Sequence, residues 1–450
     1  MPEERSRIVG PLKRVRTFEE VYLGLTRGEA IENAKIYLER ERSVKGEGCP
    51  LGTDIFAVLR PLAKGDVVAA FEKLLETNPL PGVTGRLAPE MYAETQVFNK
   101  KGERISLRAV ERFLADHTKV RKSVERSQKL KQKLVIVGSG PTGLSAASRF
   151  IRHGYQVTVL ESSHVLGGSL SYLYPEFRLP ARVVEAALSY LGQSGVEFTT
   201  NAILGQDVAL EELLDKDCSA VLLTCGAGVP KSLGLPGEEA AGVIAVEDFL
   251  KLRHWMKAGI PPYATPLDMG QKVVIAGAGE RAFDAARILV RLGRTVTIVI
   301  EGSESHLGVD PEMARLAAEE GVKVRTFARP KKVLADQSGC VKGLACQQLD
   351  YRIDANGALH IVEESDVELT LEADTVLTTA GVEADTLFLK GTDGLTFGPD
   401  GVLGTAPGSA ATPVRKVFAA GRVVDLSLTL LERIMAGRKA ASEIENFLTT

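Results

Sequence analysis

Apolar positions follow two textures along this chain. Up to about residue 117 they recur at helical spacing, as in Ile55-Phe56-Ala57-Val58-Leu59 and Val67-Val68-Ala69-Ala70-Phe71, broken by the loop Asn78-Pro79-Leu80-Pro81-Gly82. This predicts a helical domain over 1–117, followed by a basic, solvated linker over 118–131. From Leu134 the texture changes to short β-branched runs, each leading into a Gly-rich turn and a helical stretch, which is the pattern of βαβ units. It occurs twice. The first unit is Leu134-Val135-Ile136-Val137, a turn through Gly138-Ser139-Gly140-Pro141-Thr142-Gly143, a helix, then Val157-Thr158-Val159-Leu160-Glu161. The second is Val273-Val274-Ile275-Ala276, a turn through Gly277-Ala278-Gly279-Glu280-Arg281-Ala282, a helix, then Val296-Thr297-Ile298-Val299-Ile300-Glu301. Alternating strand patterns then run to Thr375-Val376-Leu377, and Val417-Phe418-Ala419-Ala420-Gly421 feeds a helix reaching Phe447. The expected organisation places one domain (266–375) inside another (132–265 and 376–450).

The chain has 450 residues, enough for two or three cores. Its formal net charge of -3 leaves no electrostatic footprint for nucleic acid and no polybasic membrane anchor. No segment approaches the roughly 18 apolar residues of a membrane span, and the first twenty residues lack a secretory core, so a cytoplasmic location is expected. The five cysteines, Cys49, Cys218, Cys225, Cys340 and Cys346, form no C-x-x-C pair, which argues against thiol-disulfide chemistry. The six histidines, among them His153, His164 and His306, show no metal-ligand spacing, and no metal is expected at Cys340 and Cys346.

The two Gly-rich turns carry the chemistry. In G-x-G-x-x-G between strand and helix, the first glycine makes the tight turn, the second lets a pyrophosphate approach, and the third packs helix on strand. Gly138, Gly140 and Gly143 meet this pattern, with the Glu161 carboxylate placed to accept from ribose hydroxyls. Gly277, Gly279 and Ala282 form the variant ending in alanine. The fold class is therefore α/β with two Rossmann-type dinucleotide-binding domains. At the tip of the second unit stands Glu301-Gly302 with no arginine, so a 2′-phosphate would meet a carboxylate, and NADH is expected over NADPH.

Further stretches match one family: Cys49-Pro50-Leu51, GDVVAAFEKLLETNPLP, GPTGLSAA, LGGSL, YPEFRLP, LPGEEAAGV, GERAFDAARILVRLG, VFAAGR and AGRKAA. Together they make the chain resemble the small subunit of bacterial glutamate synthase and its FAD- and NAD(P)-binding relatives, which exchange electrons with iron-sulfur partners. The resemblance implies a glutathione-reductase-like arrangement. It implies FAD on Gly138, Gly140, Pro141, Thr142, Gly143, Glu161, Gly167, Gly168, Arg178, Gly226, Gly421, Arg422 and Thr429. It implies NAD on Gly277, Gly279, Glu280, Arg281, Ala282 and Glu301. Hydride transfer would occur at flavin N5, with no side chain as catalyst.

Three departures qualify it. Relatives carry two cysteine clusters for [4Fe-4S] centres in the helical domain, whereas Tyr37, Arg40, Thr84, Ala88, Tyr92 and Gln96 stand at cysteine places here and Cys49 alone survives. Since such a cluster ordinarily needs four thiolates, the chain is expected to hold no iron-sulfur cluster and to keep this domain as a docking surface. Ile300-Glu301-Gly302 replaces the Tyr-Arg-Arg of NADP-type relatives, and Arg422 replaces an aspartate that bonds the FAD ribityl chain. The resulting expectation is an FAD-containing subunit that exchanges hydride with NAD(H) and single electrons with an iron-sulfur partner subunit. A multi-subunit, NAD-reducing tungsten aldehyde oxidoreductase has a similar FAD module. A stand-alone flavin reductase, a glutamate synthase small subunit and a non-catalytic FAD-binding assembly subunit are the alternatives.

Overall fold

A computed structural model describes residues 8–39, 49–88, 97–100, 102–118, 130–215, 218–257, 269–304, 307–354 and 359–449. Arg40, Tyr92, Gln96, His306 and most of the basic linker lie outside the described residues. The chain opens with helices α1 (Pro11–Arg14), α2 (Arg27–Glu39), α3 (Ile55–Ala63), α4 (Val67–Leu75), α5 (Pro81–Leu87) and α6 (Leu107–His117). Three of these start on a capping side chain: Asp54, Asp66 and Ser106 accept from the amides of Ala57, Ala69 and Ala109. Their apolar faces close on a core containing Val58, Leu62, Leu74 and Phe113.

The strands that follow are β1 (Lys133–Val137), β2 (Gln156–Leu160), β3 (Val196–Thr199), β4 (Cys218–Leu223), β5 (Ala227–Pro230), β6 (Val243–Ala245), β7 (Lys272–Ala276), β8 (Thr295–Val299), β9 (Lys323–Arg325), β10 (Ala328–Ala335), β11 (Val341–Ile353), β12 (Leu359–Glu372), β13 (Thr375–Thr378), β14 (Val382–Ala384) and β15 (Val417–Ala419). The helices among them are α7 (Pro141–Arg152), α8 (Ser169–Tyr172), α9 (Ala181–Gln193), α10 (Leu210–Asp215), α11 (Val246–Lys257), α12 (Glu280–Arg291), α13 (Pro311–Glu319) and α14 (Leu430–Thr449). The fold is α/β, built on two five-stranded parallel sheets, ordered β15-β4-β1-β2-β3 and β6-β13-β7-β8-β9. The second sheet lies between β4 and β15 in sequence. An antiparallel sheet β10-β11-β12 flanks it, and the pair β14-β5 joins the two segments that cross between the units.

In the first sheet Leu134, Ile136, Val157 and Val159 pack against Leu144 and Phe150 of α7 and Ile434 of α14. In the second, Val273, Ile275, Val296 and Ile298 pack against Phe283 and Leu289 of α12. Each such side chain contributes about 1.5–3 kcal/mol when fully buried. The second sheet runs from Val243 to Thr378, past the expected limits of 266 and 375 at both ends. Its edge strand β6 pairs with β13, more than a hundred residues on, and no local pattern in Val243-Ile244-Ala245 announces that partner. No helix among the described residues is long and apolar enough to cross a membrane.

Candidate active site

The first Gly-rich turn is set by close approach. Gly138 has φ +106°, and a Cβ there would stand 2.6 Å from the Thr224 carbonyl oxygen. A Cβ on Gly143 would run into the Gly138 carbonyl oxygen and lie 2.8 Å from Thr224 Oγ1. Gly140, by contrast, faces open space, with nothing within 4 Å of the position its Cβ would take. Behind it, Pro141 and Thr142 begin α7, whose first amides have no intrahelical acceptor. Open helix starts of this kind favour an anion such as a phosphate. Glu161 is drawn into the same turn: its Oε2 accepts from Ser139 N–H at 3.0 Å and Ser139 Oγ–H at 2.6 Å, and its Oε1 accepts from Ser163 N–H at 3.0 Å. Gly167 N–H donates to the same Ser139 Oγ at 2.8 Å, and Gly168, at φ +52°, packs against the Gly140 backbone.

α14 comes down onto this turn. A Cβ on Gly421 would strike Thr142 Oγ1, one on Gly437 would strike the Thr142 carbonyl oxygen, and Ser145 Oγ–H donates to Ile434 O at 2.7 Å. Thr429 caps α14 reciprocally with Glu432: Thr429 N–H donates to Glu432 Oε2 at 2.8 Å, and Glu432 N–H to Thr429 Oγ1 at 3.3 Å.

The second turn repeats the first. Gly277 has φ +109° with its Cβ direction blocked by Thr379 Oγ1, while Gly279 opens onto free space at the start of α12. Thr379 N–H and Oγ1–H both donate to Ala276 O, as Thr224 N–H and Oγ1–H do to Val137 O. Each threonine is followed two residues later by a glycine with positive φ, Gly226 at +81° and Gly381 at +85°. These threonines brace the two turns, and motif reasoning missed them. The doubled pattern Leu223-Thr224-Cys225-Gly226 and Thr378-Thr379-Ala380-Gly381 was the signal for them. Ala282, buried in α12, takes the place of Gly143.

Between the second turn and the start of α14 lies a cavity of about 590 Å³. Gly279, Glu280 and Arg281 line it from the second unit, and Ser169, Arg422 and Thr429 from the first. Arg281 pairs with Glu247 at 2.5 Å, and Arg422 donates from Nε to Leu426 O at 2.9 Å. Burial, together with the neighbouring Arg281 and Arg433 charges, brings the Arg422 guanidinium down to about 10. Arg178 donates to Asp284 at 2.6 Å and lies 3.5 Å from Glu280, both on α12. Burial alone would lower Arg178, but these two carboxylates outweigh it and hold its pKa above the ordinary value. Burial pushes Asp284 up to about 6 despite this partner. Arg178 is thus a tie between the units. Glu301, at the tip of β8, is paired with Arg329 at 3.0 Å. The guanidinium that the β8 tip lacks in sequence arrives from β10, twenty-eight residues on.

All five cysteines are free thiols, and burial raises Cys225, beside the first turn, to about 12. It is therefore not a thiolate at neutral pH. Among the described residues no group of three or more His, Cys, Asp or Glu could hold a metal ion.

Comparison with known proteins gives this arrangement its family. The pattern of pyridine nucleotide-disulphide oxidoreductases matches residues 93–205 and 132–443. The NADP(+)-dependent formate dehydrogenase subunit beta of Moorella thermoacetica is 28% identical over 433 residues, 89% of this chain and 59% of that protein. The glutamate synthase [NADPH] small chain of Escherichia coli is 28% identical over 454 residues, 97% of this chain and 96% of that one. Among solved structures, FprA of Mycobacterium tuberculosis in complex with NADPH superposes with a TM-score of 0.57 at 18% identity, covering 71% of this chain and 84% of FprA. Thioredoxin reductase of T. acidophilum superposes at 0.52 and 18% identity, covering 71% and 100%. A second pattern, dihydropyrimidine dehydrogenase domain II, 4Fe-4S cluster, matches residues 14–123. This corrects the expectation of a chain without an iron-sulfur cluster, which rested on counting ligands alone. The match spans the helical domain whose core holds Leu62 and Phe113. Of the four thiolates such a centre ordinarily takes, this stretch of sequence supplies one, Cys49, whose Sγ lies 3.3 Å from Thr53 Oγ1. With its twin nucleotide turns, the chain belongs to the pyridine nucleotide-disulphide oxidoreductase family and is an FAD-dependent NAD(P)H oxidoreductase.

Proposed function

We propose that this chain is the flavin subunit of a larger oxidoreductase, exchanging a hydride with NAD(H) and passing electrons to an iron-sulfur partner subunit. The observation that carries this reading is the cavity lined from both units, into which the second turn and the start of α14 both open. Gly138, Gly140, Thr142 and Gly143 would hold the FAD pyrophosphate at the start of α7, with Gly421 and Thr429 toward the ring. Gly277, Gly279 and Ala282 would hold the nicotinamide dinucleotide at the start of α12. When bound, flavin supplies the conversion between two-electron hydride chemistry and single-electron transfer. The residues supply placement. Both helix N-termini favour negative charge, and the Arg178–Asp284 tie fixes the two units against each other across the cavity.

Glu301 supports NADH as the preferred coenzyme, since its carboxylate suits ribose hydroxyls and disfavours a 2′-phosphate. Several relatives are named as subunits of assemblies, among them an NADPH-Fe(3+) oxidoreductase subunit beta of Geobacter sulfurreducens, and this supports a partner. The helical domain, with Leu12, Leu23 and Val68 exposed, is the proposed docking face. A tungsten aldehyde oxidoreductase as the whole assembly rests on the sequence resemblance alone. Anaerobic stopped-flow mixing of the purified chain with NADH and with NADPH tests the core of the reading. Flavin bleaching that is faster with NADH is expected. Bound FAD that neither coenzyme bleaches would overturn it.

A further inference from the structure

The two nucleotide units differ at one place that decides how the coenzyme is read. In the first, Glu161 N–H donates to Thr199 O at 2.9 Å. In the second, Ile300 N–H donates to Arg325 O at 2.9 Å, so Ile300 occupies the place of Glu161. Ile300 is buried, and the carboxylate moves one residue outward to Glu301, whose side chain is 49% exposed. There it accepts from Arg329 Nε at 3.0 Å.

Arg329 is delivered by backbone geometry. The chain between β9 and β10 folds over the β8 tip: Phe327 N–H donates to Gly302 O at 3.2 Å and Ala328 N–H to Ile300 O at 3.0 Å. Phe327 sits at φ +53°, a conformation an aromatic residue seldom adopts. Its ring stacks on Tyr351 with centroids 4.2 Å apart and planes 15° off parallel. Leu349 N–H adds a bond to Phe327 O at 2.8 Å. Strained backbone of this kind is kept where the surroundings over-determine it and gathers at ligand sites. The strain here places a guanidinium beside the Glu301 carboxylate at the strand tip.

We propose that Arg329 and Glu301 together read the 2′ position of the coenzyme, an inference that rests on the second turn being the nicotinamide site. A lone carboxylate would repel a 2′-phosphate. Paired with a guanidinium, it forms a reader of zero net charge. Glu301 accepts from the ribose hydroxyls of NAD(H). Arg329, whose planar fork carries five donors and suits phosphate oxygens, serves the 2′-phosphate of NADP(H). The chain then disfavours NADP(H) without excluding it, and each residue sets one side of the ratio.

The test is calorimetric titration of the oxidised, FAD-loaded protein with NAD⁺ and with NADP⁺, so that no turnover intervenes. A charge-assisted hydrogen bond is worth about tenfold or more in affinity. Arg329→Gln should weaken NADP⁺ about tenfold and NAD⁺ by less than about threefold. Glu301→Gln should tighten NADP⁺ about tenfold and weaken NAD⁺, reversing the preference. NAD⁺ binding to all three proteins with an unchanged NADP⁺/NAD⁺ ratio overturns the role of this pair and leaves the site assignment standing. Failure of the wild-type protein to bind NAD⁺ overturns both.

Discussion

Glu320, which caps the end of α13, is the buried anion whose removal should cost most. Its Oε1 accepts from Arg14 Nε at 2.9 Å and Arg287 Nη2 at 2.8 Å, and its Oε2 from Arg287 Nε at 2.9 Å and Arg291 Nη1 at 2.7 Å. The ring of Phe177 lies under both Arg287 and Arg291, at 4.7 and 4.1 Å. Burial alone would raise this carboxyl, but the hydrogen bonds from Arg287 and Arg291 outweigh it and bring it from 4.5 down to about 2. Each tenfold in proton affinity is worth about 1.4 kcal/mol, so the ionised form contributes about 3 kcal/mol to the folded state. A depressed carboxyl contributes fully above its unfolded value and loses that contribution as pH falls through its folded one. The term is therefore complete at pH 7 and fades between about 4.5 and 2. Glu320→Gln should lower the opening free energy of β7, β8 and β9, read by amide hydrogen exchange, by about 3 to 5 kcal/mol at pH 7, because the buried guanidinium groups of Arg287 and Arg291 lose their anion while Arg14 keeps Glu319. At pH 3 the linked part should shrink to about 1.5 kcal/mol. Since Arg287 and Arg291 lie on α12, which begins at the second turn, NAD⁺ affinity should fall as well. A loss below about 1 kcal/mol at pH 7, or one that does not change with pH, would refute the assignment of Glu320 as the hub.

Two further outcomes follow from single atoms. Gly143→Ala drives a Cβ into the Gly138 carbonyl oxygen and should cost about 1–3 kcal/mol in local strain, seen as flavin lost to the filtrate on ultrafiltration; full retention would mean the turn relaxes freely. Iodoacetamide at pH 8 should label exposed Cys340 well before Cys346, which is buried and pushed up to about 11; peptide mass spectrometry showing equal labelling would refute that order.

Much of this was legible in the sequence because the decisive constraints are local. A strand, a glycine turn and a helix lie within twenty residues, and the close approaches at Gly138, Gly143 and Gly277 are met by Gly in the sequence itself. What was not legible comes from distant segments. The sequence around Arg178 does not announce its ion pair with Asp284 across the units. The absence of arginine at Glu301-Gly302 hid Arg329, which a later strand supplies. The cysteine count in the helical domain misled in the opposite way: ligand residues are few and easily scored, whereas the 4Fe-4S domain pattern is matched along residues 14–123.

The two turns also act as a natural double substitution. In the first, Ser139 and Glu161 form one buried polar unit, with two hydrogen bonds between them and a third from Ser163. In the second, Ala278 stands at the place of Ser139 and Ile300 at that of Glu161, and the two belong to the same apolar cluster. Changing one partner alone would leave a buried carboxylate short of donors, at about 1–3 kcal/mol or more, whereas exchanging both for apolar groups can be nearly neutral. The paired exchange removes the inner carboxylate from the second unit and leaves Glu301, one residue out, as the acid at the strand tip. The first unit therefore holds its acid inside the turn, fixed by its own backbone, and the second presents its acid at the mouth, beside an arginine, where the 2′ substituent of a dinucleotide would be met.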